Sequence, residues 1–313
     1  MTETQLNYVL CPDAAGGHRM AYWQWGQAES AHVVLCVHGL TRQGRDFDVL
    51  AQALCNAAAQ AGAPSSDGIR VVCVDVVGRG ESDWLKDPMG YQVPAYAADM
   101  LALLAQLQSQ SPITTLDWVG TSMGGLIGLV VCGQPDLPMA APVRRLVLND
   151  VGPALQWQAI QRIGSYLGQA GHFSSVQEGA DAMWAISSGF GPHSAEQWLA
   201  LSRPMFKPVN PATPAANSLL RLHYDPAIAT PFKLANEDSA RQGEVALWHL
   251  YDSIKAETLL LRGAHSDLLS AETALAMTQR GPHARLVEFA GVGHAPTLTA
   301  SDQVAAVTGF LLA

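Results

Sequence analysis

The sequence predicts an α/β fold built on a mostly parallel sheet with helices on both faces. Apolar, β-branched segments recur along the chain, and stretches with helical patterns separate the early ones. Strands that are apolar on both faces are typical of a parallel sheet buried between two layers of helices. The alternation breaks between residues 153 and about 250, which indicates an insertion into the α/β core.

The predicted strands are short apolar runs that end at glycines or polar residues. They cover residues 32–39, 69–78, 114–120, 143–152, 257–263 and 284–294. An earlier segment, 18–26, precedes the alternation and predicts an antiparallel edge strand. Helical patterns at 46–62, 96–109 and 124–134 connect the early strands and supply the covering layers.

The insertion is predicted to be mostly helical. It contains helix-like segments at 154–168, 176–188 and 194–202, then a proline-rich stretch to residue 217, and no convincing buried strand. We therefore divide the chain into a core domain, 1–152 and 251–313, and a helical cap, 153–250. Most aromatic residues of the cap should form its own core. A few, with Trp184 and Tyr166 as candidates, should contact substrate where the cap meets the sheet.

Composition argues against several classes of function. The chain has 313 residues and a formal net charge of −9, which is unsuited to binding nucleic acid. Its N-terminal segment has no basic start and no long apolar stretch, so we expect no signal peptide, and no apolar run is long enough to span a bilayer. The five cysteines are scattered without metal-ligand spacing, as expected of reduced thiols in a cytoplasmic protein. We expect no cofactor, no metal, no membrane insertion, and a monomer or homodimer.

One serine has the sequence context of a nucleophile. Ser122 lies in the pattern Gly120-Thr121-Ser122-Met123-Gly124, which matches G-x-S-x-G. An apolar strand precedes the pattern and a glycine-rich helix follows it, as this motif requires. Small residues on either side let the strand and the helix approach closely at a sharp bend. Ser122 should therefore stand at the carboxyl end of the sheet, where ligands bind in open α/β folds.

A serine hydroxyl needs a base, and the base needs an orienting acid. His294, in "FAGVGHAPTL" after the last predicted strand, is the predicted base, and His265 is the weaker alternative. Asp267, in "LLLRGAHSDLLS", is the predicted acid because the order Ser122, Asp267, His294 suits this topology. Asp150, at the end of "LVLND", remains an open alternative whose other role would be to hold the loop into the cap.

The loop that follows the strand in "VLCVHGLTR" is predicted to face Ser122 and to supply a donor for the oxyanion. The backbone N–H groups of Leu40 and Met123 are the natural pair to bind the oxyanion of a tetrahedral intermediate. His38 is expected to brace this loop, with substrate contact as a weaker possibility. Arg42 is either a surface charge or a partner for an anionic group of the substrate.

Together these motifs resemble the α/β-hydrolase superfamily over nearly the whole chain. The matching segments are the His38-Gly39 loop, "DVVGRGESD", "GTSMGG", "LRGAHSD" and "GVGHAP", in the family's order. The resemblance implies a mostly parallel eight-stranded sheet, a helical cap after the sixth strand, and a Ser122–His294–Asp267 triad. Epoxide hydrolases and dehalogenases of this fold have aspartate at the elbow, so the serine argues against those chemistries.

The chain looks similar to bacterial cap-bearing hydrolases that act on small esters, lactones or ring-cleavage diketones. We therefore expect a serine hydrolase of small, largely apolar carboxylic esters or lactones. A carbon–carbon bond hydrolase of ring-cleavage diketones and an acyltransferase of the same fold remain alternatives. A ligand-binding homologue without catalysis is disfavoured because serine, histidine and acid are all present.

Overall fold

The computed structural model describes residues 4–60, 68–169, 171–210 and 218–313. Its strands are, in chain order, β1 (Gln5–Cys11), β2 (His18–Gly26), β3 (His32–Val37), β4 (Arg70–Asp75), β5 (Thr115–Thr121), β6 (Val143–Asn149), β7 (His172–Phe173), β8 (Phe206–Pro208), β9 (Leu220–Leu222), β10 (Glu257–Gly263) and β11 (Arg285–Phe289). Eight of them form one sheet in the order β1-β2-β4-β3-β5-β6-β10-β11.

The predicted fold class is confirmed. From β4 to β11 neighbouring strands of the large sheet are parallel, and β1 and β2 form an antiparallel edge. β2 was expected as an edge strand, but β1 was not recognised from its own pattern. In β1 only Val9 and Cys11 are buried, so the strand shows too few apolar positions to stand out.

Helices cover both faces of the sheet. They are α1 (Asp48–Gln60), α2 (Val93–Gln110), α3 (Met123–Gly133), α4 (Trp157–Tyr166), α5 (Val176–Ser187), α6 (Ala195–Ser202), α7 (Ala229–Leu234), α8 (Glu237–Ser253), α9 (Ala271–Gln279) and α10 (Ser301–Leu311). In β3, Val33, Leu35 and Val37 face the core beneath α2 and α3, whereas Val34 and Cys36 face the core beneath α1 and α10. This alternation explains why a parallel strand must be apolar on both faces.

Most of the segment between β6 and α8 lies over the carboxyl end of the sheet, although Leu167, Tyr224, Ile228 and Ala229 join the core cluster beneath it. It contains α4 to α7 and a small antiparallel sheet in the order β7-β9-β8. Its own apolar cluster is formed by Ala180, Met183, Trp198, Leu201, Met205 and Phe206. The three strands were not expected, since runs of two or three residues leave no periodic pattern. Residues 211–217 of the proline-rich stretch lie outside the described residues.

The predicted cap boundary at residue 250 falls inside α8. This helix packs on α3 of the core, and a Cβ atom added to Gly133 would lie 2.3 Å from the Leu250 carbonyl oxygen. Hydrogen bonds also join the segment between β6 and α8 to loops of the large sheet, such as Gly293 N–H to the Gly189 carbonyl at 2.6 Å. In the described part of the chain, no helix has both the length and the apolarity that crossing a membrane requires.

Candidate active site

Ser122 occupies a sharp turn between β5 and α3. Its backbone has φ 50° and ψ −116°, a conformation that L-residues rarely adopt. A Cβ atom on Gly120 would lie 2.4 Å from the Gly124 carbonyl oxygen, and one on Gly124 would lie 1.9 Å from the Val37 carbonyl oxygen. Both flanking positions therefore require glycine. The turn holds the Ser122 hydroxyl at the carboxyl end of the sheet.

The Ser122 hydroxyl contacts an imidazole that is itself held by a carboxylate. Ser122 Oγ lies 2.9 Å from His294 Nε2, and His294 Nδ1 lies 2.7 Å from Asp150 Oδ2. An ionised carboxylate can only accept, so the proton of a neutral His294 belongs on Nδ1. Nε2 is then free to accept the proton of the serine hydroxyl, which is the arrangement a general base requires.

Asp150 is held firmly in this position. It follows β6 directly, is fully buried and has φ 57°. Besides His294, its carboxylate accepts hydrogen bonds from the Gly263 N–H at 2.9 Å and the Ser266 hydroxyl at 2.6 Å. Three donors fix the carboxylate and thereby the plane of the imidazole. Ser266 was not singled out in the sequence, because one serine after a strand gives no distinct signal.

The preference for Asp267 over Asp150 needs correction. The Asp267 carboxylate forms a two-pronged ion pair with Arg162, at 2.7 Å from Nε and 2.9 Å from Nη2. It is 47% exposed and does not hydrogen-bond to His294. The turn after β10 directs the side chain of Ser266, rather than that of Asp267, toward Asp150. The weaker base candidate, His265, is exposed.

His38 lies beneath the loop that faces Ser122. It is fully buried, with Nδ1 2.6 Å from the Gly39 carbonyl oxygen and Nε2 accepting the Val76 N–H at 2.9 Å. Burial lowers the pKa of His38 to about 3, so the ring is neutral near pH 7. In a trans peptide the C=O and N–H point in opposite directions. Fixing the Gly39 carbonyl on His38 therefore turns the Leu40 N–H away from the histidine.

A buried arginine that the sequence reasoning missed supports both predicted oxyanion residues. Arg79 is fully buried, and its Nε donates to the Leu40 carbonyl at 2.8 Å while its Nη2 lies 3.5 Å from Met123 Sδ. Its Nη1 donates to the Val77 carbonyl at 2.7 Å and contacts the Tyr96 hydroxyl at 3.0 Å. The available signal was a single cation inside "DVVGRGESD". Met123 begins α3, so its N–H has no partner in a preceding helical turn.

Two cavities meet at Ser122, and Leu40 and Ile163 also line both. The first has a volume of about 340 Å³, and His294 lies in its wall. The second has a volume of about 600 Å³, and Met123 lies in its wall. Cap residues from α4 contribute to both. A substrate bound at Ser122 can therefore extend in two directions.

Of the four residues predicted with less support to contact substrate, two line a cavity at Ser122 and two do not. Tyr166 and Arg42 line the first cavity. His38 lies behind the loop and acts as the brace that was expected. Trp184 is not among the residues that line either cavity, and instead packs edge-on against Trp198 with ring centroids 5.0 Å apart. Trp184 belongs to the aromatic packing of the cap, because α5 turns the neighbouring Met183 toward the cavity.

Groups that could ligate a metal lie away from this site. Within the described residues, Cys11, His18 and Asp99 have ligand atoms within 4.8 Å of one another, at the β1 edge of the sheet. Burial lowers the pKa of His18, but hydrogen bonds to Asp99 and Asp13 outweigh it and raise the pKa to about 9. Both ring nitrogens of His18 are engaged by aspartates, Nδ1 with Asp13 at 2.9 Å and Nε2 with Asp99 at 3.0 Å.

Comparison with known proteins gives the family. A sequence profile of the alpha/beta hydrolase family matches residues 34–307. The chain belongs to the α/β-hydrolase family. This α/β hydrolase is 45% identical to the 3-hydroxybutyrate-oligomer hydrolase of Cupriavidus necator, over 98% of this chain and 97% of the relative.

Solved structures agree with this assignment. An alpha/beta hydrolase from Novosphingobium aromaticivorans is 32% identical, with a TM-score of 0.78 over 100% of this chain and 99% of the other. A Rickettsia typhi protein described as a candidate hydrolase is 24% identical, with a TM-score of 0.81 over 99% of both chains. The second likeness shows the fold alone. The resemblance stated from the motifs is therefore confirmed at the level of the family.

Proposed function

We propose that this α/β hydrolase is a serine hydrolase of small carboxylic esters, and that its substrates are oligomeric esters of a short hydroxy acid such as 3-hydroxybutyrate. The main support is the contact chain from Ser122 Oγ through His294 to Asp150, with distances of 2.9 and 2.7 Å. The substrate class rests on the 45% identity to the Cupriavidus necator enzyme over nearly the full length of both chains.

In the first half of the reaction, Ser122 Oγ attacks the ester carbonyl carbon while His294 Nε2 takes the hydroxyl proton. Asp150 holds the imidazole in the required tautomer and stabilises the imidazolium that forms. The N–H groups of Leu40 and Met123 bind the oxyanion, and removing one donor of this kind costs about 3–4 kcal/mol of transition-state stabilisation. His294 then protonates the leaving alkoxide, which departs as the alcohol.

In the second half, His294 removes a proton from water, and the resulting hydroxide attacks the acyl-enzyme. The second tetrahedral intermediate uses the same two N–H donors. Its collapse returns the proton to Ser122 and releases the carboxylic acid. No step requires a group beyond the ester, water and these residues, since the triad supplies both the base and the acid.

The test uses a trimer of 3-hydroxybutyrate, with the products separated by chromatography. We expect wild-type protein to release 3-hydroxybutyrate and Ser122→Ala to lose about 10⁴-fold or more in kcat, because only binding and the oxyanion hole remain. Ser109→Ala, at an exposed position near the end of α2, is the matched control and should keep full activity.

A fluorophosphonate probe gives an independent readout. It should label the wild type and Ser109→Ala but not Ser122→Ala. Turnover of the trimer by Ser122→Ala at the wild-type rate would refute the proposed nucleophile, and failure of the wild type to cleave the trimer would refute the substrate class.

We further propose a cytoplasmic location and a cap formed by α4 to α7 over the active site. The five cysteines are free thiols, as is usual in a reducing compartment. Whether the protein is a monomer or a homodimer stays a prediction for a solution mass measurement.

A further inference from the structure

The two cavities at Ser122 differ in whether charged side chains line them. The first cavity, of about 340 Å³, has Arg42 and Arg162 in its wall and no aspartate or glutamate among its described lining residues. The second, of about 600 Å³, has no charged residue among those that line it. Each arginine is paired with an aspartate outside the lining, Arg42 with Asp46 and Arg162 with Asp267. The site therefore offers a substrate one side with guanidinium donors and one apolar side.

The chemistry of ester hydrolysis decides which part of the substrate lies on each side. His294 must protonate the leaving oxygen, so the alcohol part has to depart next to the imidazole. His294 lines the first cavity, whereas Met123, an oxyanion donor, lines the second. Given the proposed function, the alcohol part of the ester lies in the arginine-lined cavity and the acyl chain in the apolar one.

Arg42 has an unused donor. It is only 7% exposed, and its Nε and Nη2 each lie 2.6 Å from a carboxylate oxygen of Asp46. Nη2 also donates to the Leu201 carbonyl at 3.2 Å. Nη1 is buried and has no hydrogen-bond partner among the described residues. A buried donor left without a partner is costly, and hydrogen bonds from a charged donor to a carboxylate are among the strongest in proteins.

Arg42 is also close to the nucleophile. A Cβ atom built on Gly39 would lie 3.7 Å from Ser122 Cβ and 3.8 Å from Arg42 Cγ, so the two side chains flank the same glycine. Phe190 of the cap lies beside the guanidinium, with its ring centroid 6.0 Å from Cζ, and lines the same cavity. Arg42 and Phe190 both line the cavity that contains Ser122, and use of the buried Nη1 by a substrate requires a movement that exposes it.

We propose that Arg42 binds a carboxylate on the alcohol part of the ester, so that the enzyme cleaves the last ester bond at the carboxyl end of a hydroxy-acid oligomer. In this reaction the bond between the acyl carbon and the ester oxygen breaks. Water supplies the hydroxyl group of the shortened acid and the proton of the departing alcohol. The departing alcohol is one hydroxy acid whose carboxylate is on Arg42. The shortened oligomer then carries the carboxylate that the next cycle recognises.

Arg162 is the weaker candidate for this contact. It is 42% exposed, and its Nε and Nη2 are engaged by Asp267. Solvent screens a guanidinium at this position more than it screens Arg42. Arg162 should therefore have little influence on which ester bond is cleaved.

The first experiment compares the trimer as a free acid with its methyl ester, using wild-type protein. We expect kcat/KM to be about 10- to 100-fold higher for the free acid, the range expected for hydrogen bonds to a charged group. With a ¹³C label in the carboxyl-terminal unit, the first monomer released should contain the label. Cleavage of both substrates at equal rates would overturn this inference and leave the proposed ester hydrolase intact. Cleavage of neither would instead refute the proposed function.

Substitutions of single arginines show which of them binds the substrate carboxylate. Arg42→Met should bring the ratio of free acid to methyl ester close to 1, while Arg162→Met should lower it no more than about threefold. Arg241→Met is the matched control, since this arginine is 71% exposed on α8, and it should keep the wild-type ratio. The double variant Arg42→Met/Asp46→Asn removes both charges and guards against misfolding caused by an unpaired Asp46. A wild-type ratio in the folded single or double variant would exclude Arg42.

Discussion

The choice between two aspartates gives the sharpest test of the site. Asp150→Asn and Asp267→Asn make the same chemical change at the two positions that the sequence left open. Asparagine suits position 150 because its backbone φ of 57° is one that asparagine tolerates better than most residues. Both variants keep the shape of the side chain, so any difference between them reports the role of the carboxylate.

The structure predicts very different losses. In Asp150→Asn the amide can no longer accept from all three of its donors, which are the imidazole, the Gly263 N–H and the Ser266 hydroxyl. If the amide NH₂ faces His294, it favours the tautomer with hydrogen on Nε2, which cannot accept the serine proton. The corresponding change in a Ser-His-Asp triad costs about 10⁴-fold in kcat, so we expect a loss of about 10³- to 10⁴-fold.

For Asp267→Asn the expected loss is small. The variant disrupts a half-exposed ion pair with Arg162, and such pairs contribute about 0–1 kcal/mol to stability. Its kcat should stay within about threefold of wild type, with a small change in KM because Arg162 lines the first cavity. Thermal unfolding of both variants shows whether a loss of rate comes from a loss of structure.

The assay is steady-state hydrolysis of a p-nitrophenyl ester between pH 6 and 9, with active sites counted by the fluorophosphonate probe. A folded Asp150→Asn enzyme with near-normal kcat would refute the reasoning. So would a large loss in Asp267→Asn, because it would mean that the acid contacts His294 from the other strand during turnover.

Three further predictions concern the surroundings of the site. Gly124→Ala should destabilise the fold by about 3 kcal/mol or more or prevent folding, because its Cβ would lie 1.9 Å from the Val37 carbonyl oxygen; denaturant unfolding measures this. Arg79→Met should lower kcat about 10- to 100-fold with little change in KM, because the substitution releases the Leu40 carbonyl but removes no contact with substrate. An unchanged kcat would contradict this role of Arg79. For His18, whose pKa rises from 6.5 to about 9 on folding, the ion pairs stabilise the protein below pH 6.5, and the benefit disappears as pH rises through 9. The unfolding free energy of wild type relative to His18→Gln should therefore decrease by about 3 kcal/mol from pH 6.5 to 9.5.

The sheet could be predicted from sequence because its strands have to be apolar on both faces. Seven of its eight strands have a predicted counterpart, from the edge segment 18–26 to the last run at 284–294. The eighth, β1, pairs only with β2 and is largely exposed. Its side chains therefore need not be apolar on both faces, and the strand has no apolar run to identify it. In the cap, β7 to β9 are too short for any period to be visible.

The contact between Ser122 and His294 could be predicted because the chain has to bend sharply at each residue. Ser122 is bracketed by glycines that the bend requires, and His294 follows Gly293 after the last strand. Arg79 gave no such signal. Its hydrogen bonds to backbone carbonyl groups depend on its full burial. A single arginine in a loop gives no indication in the sequence that it will be buried.

The acid could not be chosen from sequence, and the reason lies in the register of two neighbouring strands. β6 and β10 are parallel and adjacent, and Asn149 pairs with Leu261, so both strands end at the same edge. Asp150 follows β6 by one residue and stays in line with the sheet, where the Gly263 N–H reaches it at 2.9 Å. Asp267 follows β10 by four residues, and the turn closed by the Ser266 N–H on the Gly263 carbonyl at 2.9 Å has already changed the direction of the chain. A linear pattern records that each strand is followed by an aspartate. It does not record how far the chain has turned before the carboxylate, and that turn decides which carboxylate meets the imidazole.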